Sequence, residues 1–155
     1  MNQSEVYGPF FFAEAMVTGP VYLDMIEQFL KPQLLTDGIL DTVVFQQDGA
    51  LCHYAIIVHD CLERHFPGRW IGRGGTQPWA ARSLDLTPLD FFTWGFIKSK
   101  TYTGRRIGDL AKFQNRIIDA VQKITPQMLE SVFRETIHRF ELCRDIDGRH
   151  VETNK

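Results

Sequence analysis

The sequence predicts a three-layer α/β domain, in which parallel strands are joined and covered by helices. Two observations lead to this prediction. Short β-branched and aromatic runs, of which Thr42 to Phe45 is the clearest, alternate with segments whose apolar residues recur every three or four positions. Glycine and proline residues separate most of these segments, as they do at turns. The 155 residues are enough for one domain with a buried core.

The first half of the chain is predicted to hold two strands and two helices. The aromatic run Phe10–Ala13 is the first predicted strand, and a helical stripe from Val21 follows, which Pro32 should end or kink. Thr42–Phe45 is predicted to be a buried strand, central in the sheet. The apolar spacing of Tyr54–His65 then predicts an amphipathic helix.

The second half is predicted to hold one short strand and three helices. Arg69–Ile71 should pair in parallel with the Thr42–Phe45 strand. A threonine followed by a proline begins the helix predicted from Pro88 to about Lys100, because threonine can cap a helix and proline suits its first position. Two further apolar stripes, at 110–121 and 125–140, predict two C-terminal helices.

The composition excludes several classes of protein. Hydrophobic residues are 44% and charged residues 23%, which is ordinary globular usage and not that of a disordered chain. The net charge of −2 means that any contact with DNA would need a local basic patch. Three cysteines without disulfide-like spacing favour a reducing compartment. No run is long enough to span a membrane and no signal peptide is recognisable, so we expect a soluble protein.

Two acidic residues lie where an α/β domain could bind a metal ion. Asp48 follows the Thr42–Phe45 strand, and open α/β sheets bind ligands at the carboxyl ends of their strands. Asp90 lies in the first turn of a predicted helix, where the helix dipole favours a negative charge. Together the two carboxylates would suit Mg²⁺, and a pair of such ions can catalyse phosphodiester cleavage.

Each acid also has a structural interpretation. Asp48 precedes Gly49 and could be a turn residue. Asp90 lies three positions after Thr87, the spacing of a capping box, which taken alone favours capping over catalysis. Asp85 is a second acid in the same loop, and the pattern does not choose between Asp85 and Asp90.

A zinc site is a further hypothesis. Five potential ligands lie close together in the sequence: Cys52, His53, His59, Cys61 and His65. Cys61 and His65 are four positions apart and would share one helix face. No Cys-x-x-Cys pair is present, so a core cysteine and surface histidines are the favoured interpretation.

Two groups of basic residues could contact the phosphates of DNA. The first is Lys98, Lys100, Arg105 and Arg106, and the second is Arg64, Arg69 and Arg73, on either side of Trp70. An ordinary solvated face is the alternative for both groups. Contacts of this kind are independent of base sequence, so the DNA binding they predict is weak, non-specific and sensitive to salt.

Three blocks of the sequence resemble mariner-like transposases. The segment 45–55, from Phe45-Gln46-Gln47-Asp48-Gly49-Ala50 to His53-Tyr54-Ala55, resembles the block around the family's second catalytic aspartate. The segment 66–75 resembles the family's next strand and loop. The segment 82–95 resembles the block with the third acid, whose usual form is Ser-Pro-Asp-Leu-x-Pro-x-Asp or -Glu. The catalytic final acid of that form falls on Asp90 and not on Asp85.

The resemblance implies a ribonuclease-H-like fold, a mixed sheet flanked by helices. In this family three acids bind two Mg²⁺ or Mn²⁺ ions. The enzymes cut DNA at transposon ends and join the freed 3′ hydroxyl to a target. Asp48 and Asp90 would be the second and third acids and metal ligands. Residues 1–103 would form a partial catalytic core, residues 104–155 a helical extension packed on the same domain, and the protein would be nuclear.

Departures from the family pattern lead us to expect a catalytic-domain fragment, truncated at its N-terminal side, with little or no activity. The first acid should lie on a strand before Phe10, where the only acid is Glu5; Leu84 also replaces the usual proline. We expect weak Mg²⁺ or Mn²⁺ binding, non-specific DNA binding, and self-association at an exposed sheet edge. The alternative is a non-enzymatic, transposon-derived module that binds nucleic acid or protein.

Overall fold

The computed structural model describes residues 1–79, 83–103 and 108–151. Their contacts divide the chain into two compact units. We call Phe10–Arg82 the strand unit, and Met1–Pro9 together with Ser83–Lys155 the helical unit. These units are groups of residues in contact and do not test the predicted boundary between residues 103 and 104, which stays a prediction.

The described residues of the strand unit form two helices and a two-stranded sheet. Helix α1 is continuous over the segments Gly19–Asp24, Met25–Leu30 and Lys31–Thr36, and helix α2 is Ile56–His65. Strand β1 is Phe45–Gln46 and strand β2 is Trp70–Ile71, with a 3₁₀ turn at Leu51–Tyr54 between β1 and α2. Both predicted helices are confirmed.

Helix α1 continues through Pro32, where the sequence predicted an end or a kink. The preceding segment, Met25–Leu30, has π-type hydrogen bonding, and the Lys31 N–H donates to the carbonyl of Ile26, five residues earlier. In a regular α-helix the ring of a proline collides with the carbonyl four residues earlier. Proline also has no backbone N–H to donate to that carbonyl. The wider π turn changes this spacing just before Pro32, which is how the helix accommodates the proline.

Strands β1 and β2 pair in parallel, with Phe45 opposite Trp70 and Gln46 opposite Ile71. The predicted parallel pairing is therefore confirmed, but β1 is shorter than Thr42–Phe45, because the N–H groups of Thr42 and Val43 both donate to the carbonyl of Ile39. The predicted central position of this strand is wrong for the described residues, in which the sheet has only two strands.

The predicted strand at Phe10–Ala13 is also wrong, since these residues have no regular secondary structure. An extended segment becomes a strand through a partner that completes its backbone hydrogen bonds, and none of the described residues pairs with this one. The ring of Phe10 instead packs 4.9 Å from that of Phe12 and 5.0 Å from that of Phe29 on α1.

The core of the strand unit lies where α2 covers the sheet. Val58, Cys61 and Leu62 are all buried, at the helical spacing predicted for this face. Phe66 follows α2, is fully buried, and stacks on Phe45 of β1 with ring centroids 5.2 Å apart. This aromatic pair connects the end of α2 to the first strand.

In the helical unit, residues 83–103 and 108–151 form three helices. Helix α3 begins with a π-type segment, Leu89–Thr93, and continues as Trp94–Thr101; helix α4 is Leu110–Gln122 and helix α5 is Pro126–Asp145. All three predicted helices are confirmed, and a 3₁₀ turn at Leu84–Leu86 precedes them. No helix of the described residues is long and apolar enough to cross a bilayer.

Side-chain caps fix the starts of α4 and α5. The Asp109 carboxylate accepts a hydrogen bond from the Lys112 N–H at 2.8 Å, and the Thr125 hydroxyl accepts one from the Met128 N–H at 3.3 Å. Each bond satisfies an N–H group that has no partner within its own helix. The predicted threonine cap before Pro126 is therefore confirmed.

Replacing Phe66 by alanine should lower the free energy of unfolding by about 3–5 kcal/mol, because it removes a fully buried ring and leaves a cavity against Phe45. Urea denaturation followed by circular dichroism measures this loss. The control is Leu51→Ala, at a side chain that is 89% exposed, which should change stability by less than about 0.5 kcal/mol. Equal losses in the two variants would show that Phe66 is not a core residue.

Candidate metal and nucleic-acid site

Asp48 lies at the carboxyl end of β1. The ladder with β2 extends one residue beyond the strand, because the Gln47 N–H donates to the Ile71 carbonyl at 3.0 Å. The Gln47 side chain is buried, and its amide donates to the His53 carbonyl at 3.1 Å. The chain then turns outward, and the side chain of Asp48 is 62% exposed. The strand thus presents a carboxylate at the edge of the sheet where α/β domains bind ligands.

One oxygen of the Asp48 carboxylate is held by the loop that follows. Oδ1 accepts a hydrogen bond from the Ala50 N–H at 3.0 Å and lies 2.7 Å from Nδ1 of His53. The first bond is the turn contact that the structural interpretation predicts. Both contacts use Oδ1, so Oδ2 remains available to a ligand as far as the described residues are concerned.

The ring of Tyr22 on α1 packs against the imidazole of His53, with ring centroids 4.2 Å apart. Burial raises the pKa of the Tyr22 hydroxyl well above its usual value, and the neighbouring Cys52 and Asp48 raise it further. Tyr22 is therefore a neutral phenol at physiological pH. It provides a fixed, uncharged surface for the imidazole that contacts Asp48.

Asp90 lies in the first turn of α3, half-buried, and its N–H donates to the Thr87 carbonyl at 2.9 Å. The Thr87 hydroxyl donates to the Ser83 carbonyl at 3.0 Å, and no side chain caps the start of this helix. The described contacts therefore do not include the capping-box bond from the Asp90 N–H to the Thr87 hydroxyl. The capping-box spacing is present, but the threonine hydroxyl bonds to the preceding turn.

Asp85 has a structural role within the helical unit. Its Oδ2 accepts a hydrogen bond from the Val151 N–H at 2.7 Å and lies 2.8 Å from Nδ1 of His150. Its backbone carbonyl accepts a hydrogen bond from the Arg139 guanidinium of α5 at 2.9 Å. The side chain is only 10% exposed. These contacts use Asp85 to hold the segment after α5.

The predicted basic residues differ in how exposed their charges are. Lys98 and Lys100 are exposed near the end of α3, and Lys100 Nζ lies 5.5 Å from the centre of the Phe96 ring. Arg73 is exposed and packs over the Tyr54 ring at 4.1 Å. Arg105 and Arg106 lie outside the described residues.

Arg69 is bound mainly within the strand unit. Its guanidinium donates to the carbonyls of Leu40 at 3.1 Å, Val43 at 2.7 Å and His65 at 3.3 Å. Three of its five N–H groups are thereby used to hold the loop before β1 against the end of α2. A phosphate contact by Arg69 stays a prediction, and only the other two N–H groups could make it.

A second polar cluster lies between α1 and α2. Oε1 of Glu27 lies 3.0 Å from Nε2 of His65 and accepts a hydrogen bond from the Cys61 thiol at 3.3 Å, while Oε2 lies 3.0 Å from Lys31 Nζ. Burial opposes ionisation of Glu27, but the hydrogen bonds from Lys31, His65 and Cys61 outweigh it and lower the pKa to about 2. Burial and the bond to Glu27 raise the pKa of Cys61 to about 12.

Comparison with solved structures identifies the fold. A structure of the Mos1 transposase catalytic domain with raltegravir and Mn matches 98% of this chain and 74% of its own, with a TM-score of 0.82 and 21% sequence identity. The Mos1 transposase paired-end complex with the left transposon end matches 97% of this chain and 42% of its own, with a TM-score of 0.79 and 22% identity. No family model matches the sequence, and no curated protein is significantly similar to it.

The chain has the ribonuclease-H-like fold of a mariner transposase catalytic domain. The fold class implied by the sequence blocks is therefore confirmed. Asp48 belongs to the strand unit and Asp90 to the helical unit of this transposase fold. Their predicted approach, close enough to share one ion, stays a prediction.

The contacts of Glu27 with Cys61 and His65 could not be predicted from the sequence. Glu27 is separated from Cys61 and His65 by 34 and 38 positions, and no local pattern relates residues so far apart. The helical spacing of Cys61 and His65 indicated that these two residues lie close together, but it gave no indication of Glu27. His53 was considered as a zinc ligand, whereas in the structure it contacts Asp48.

The contribution of Glu27 to stability should disappear in acid. Because folding lowers its pKa from 4.5 to about 2, this contribution is complete above about pH 4.5 and is lost as the pH falls towards 2. The stability difference between the natural chain and Glu27→Gln, measured by urea denaturation in metal-free buffer, should therefore shrink from pH 5 to pH 3.

The control for this measurement is Glu141→Gln, at an exposed position of α5. It should give a small difference that does not change over the same pH range. A Glu27→Gln difference that is equally large at pH 5 and pH 3 would contradict the assignment of the low pKa to Glu27.

Proposed function

We propose that this chain is the catalytic domain, or part of it, of a metal-dependent DNA transposase, with Asp48 and Asp90 as two of its metal ligands. The observation that carries the proposal is the exposed Asp48 carboxylate at the carboxyl end of β1, in a chain with a transposase fold. The likeness to structures of Mos1 with Mn and with a transposon end supports both the metal and the DNA substrate.

The residues present fit a hard divalent ion. Carboxylate oxygens are the ligands that Mg²⁺ and Mn²⁺ prefer, and Oδ2 of Asp48 has no hydrogen bond to the described residues. When bound, such ions activate an attacking oxygen and stabilise the leaving oxygen of a phosphodiester. His53 and the Ala50 N–H would orient the Asp48 carboxylate for this task, as outer partners of metal ligands do.

Asp90 would supply the second carboxylate from the start of α3. Its place in the first turn of the helix favours the ionised form. Mg²⁺ prefers six oxygen ligands, and two carboxylates supply only part of that number. We therefore propose weak metal affinity and little or no DNA cleavage for this chain alone.

DNA binding would depend on exposed charges and not on base recognition. Lys98 and Lys100 extend from the last turns of α3, and the Arg73 guanidinium is exposed over Tyr54. These groups can contact phosphates, but such contacts do not distinguish base sequences.

A nuclear location also belongs to this proposal, because the substrate would be chromosomal DNA. Imaging of a fluorescent fusion tests this location.

Self-association through the sheet is a further part of the proposal. Strand β1 pairs only with β2 in the described residues, and Val44, just before it, is 55% exposed. A strand with one neighbour can add another from a second molecule. Sedimentation velocity over a range of protein concentrations tests this, and a monomer at all concentrations would contradict it.

The metal site is tested by titrating the purified chain with Mn²⁺ and recording the free ion by electron paramagnetic resonance. Asp48→Asn and Asp90→Asn should each weaken binding by about 10–100-fold, because each removes one of few charged ligands. Asp60→Asn is the matched control, since it neutralises an exposed acid of α2 outside the site. Binding that neither site substitution changes would contradict the proposal.

The DNA interface is tested by fluorescence anisotropy with duplexes of unrelated sequence at several salt concentrations. The double substitution Lys98→Ala with Lys100→Ala should weaken binding to all duplexes alike. It should also reduce the slope of log affinity against log salt by about 2, nearly one per phosphate contact. Lys123→Ala, at an exposed lysine after α4, is the control. Tight binding to one duplex that survives high salt would contradict a purely electrostatic interface.

A further inference from the structure

The cluster of Glu27, Cys61 and His65 brings together three potential metal ligands of different chemistry. Glu27 lies in the π-type segment of α1, and Cys61 and His65 are four residues apart on one face of α2. A carboxylate oxygen, the thiol sulfur and an imidazole nitrogen all lie within 4.8 Å of one another. Both helices belong to the strand unit.

The separations in this cluster are close to those of a tetrahedral zinc site. With metal–ligand bonds of about 2.0–2.3 Å, two ligands of a tetrahedral ion lie roughly 3.3–3.6 Å apart. The Glu27 oxygen lies 3.0 Å from the His65 nitrogen and 3.3 Å from the Cys61 sulfur. The third separation, from the Cys61 sulfur to the His65 nitrogen, is within 4.8 Å, so side-chain movements alone would be enough to admit an ion.

A cationic group already occupies this cluster. Lys31 Nζ lies 3.0 Å from Oε2 of Glu27 and 3.3 Å from Nε2 of His65. Its side chain is 28% exposed, so the flexible stem can swing the ammonium into water and open a path to the ligands. The Glu27 carboxylate that binds this ammonium provides the negative charge that a metal ion needs, once the ammonium leaves.

We propose that Glu27, Cys61 and His65 form a binding site for a borderline-soft divalent ion such as Zn²⁺, and that Lys31 competes with the ion for this site. Nitrogen and sulfur ligands favour zinc over magnesium, which separates this site from the all-oxygen site at Asp48 and Asp90. On binding, the Cys61 thiol gives its proton to solvent and the sulfur bonds to the metal. The bound ion would connect α1 to α2, and solvent could take a fourth position.

The site is tested with Co²⁺ as a spectroscopic substitute for Zn²⁺. The folded chain should bind about one equivalent, with a thiolate-to-cobalt charge-transfer band in the near ultraviolet, and Zn²⁺ should displace the ion while Mg²⁺ should not. Cys61→Ser should remove the charge-transfer band. Because Cys61 is buried, His65→Gln provides a second variant, which should weaken binding by roughly tenfold or more.

The variant Lys31→Met tests whether the Lys31 ammonium competes with the metal ion for the site or only lies near it. It keeps the length and apolar stem of the side chain but removes the charge, and it should strengthen Co²⁺ and Zn²⁺ binding by roughly tenfold. Cys52→Ser and Cys143→Ser are matched controls at the other two cysteines and should leave the spectrum unchanged. Asp48→Asn should also leave it unchanged, which keeps this test independent of the proposed transposase site.

Two outcomes would overturn the inference. One is the absence of stoichiometric Co²⁺ or Zn²⁺ binding by both the natural chain and Lys31→Met, with circular dichroism showing that both are folded. The other is a charge-transfer band that survives in Cys61→Ser, which would place the ion at another cysteine.

Discussion

The position of the candidate catalytic carboxylate depends on a very short parallel ladder. Strands β1 and β2 are two residues each, and the ladder ends with the bond from the Gln47 N–H to the Ile71 carbonyl. A pair this short is not stable by itself. It is supported by the stacking of Phe66 on Phe45 and by Arg69, whose guanidinium binds the carbonyls on the approach to β1. Asp48 follows directly from this supported end.

The two polar clusters of the strand unit differ in the ion they suit. At Asp48 the proposed ligand is an exposed carboxylate with one oxygen held by its own loop, which would suit a hard ion that keeps much of its water. At Glu27 the ligands are half-buried or buried and include sulfur and nitrogen. Burial makes the second cluster dependent on its partners, because an unpaired carboxylate there would be costly. Lys31 meets that need, and a metal ion could do so in its place.

The helical unit shows why two acids five positions apart can have different roles. Asp85 accepts a hydrogen bond from the Val151 backbone and contacts His150, and its own carbonyl binds Arg139. The Arg139 guanidinium also packs over the Phe91 ring at 4.3 Å. These contacts fix the turn before α3 and the segment after α5 together. A ligand role for Asp90 belongs to the proposed function.

Sequence patterns predicted the helices, the threonine cap of α5, the parallel pairing of β1 with β2 and the blocks around Asp48 and Asp90. These features depend on residues a few positions apart, or on a pattern carried by contiguous residues. The contacts of Asp85 depend on the tertiary structure, since the Val151 N–H that it binds is 66 positions away. The same holds for the contacts of Glu27 with Cys61 and His65, which lie on another helix. Phe10–Ala13 has the composition of a strand but no strand partner in the described residues, and strand formation depends on pairing, which composition does not encode.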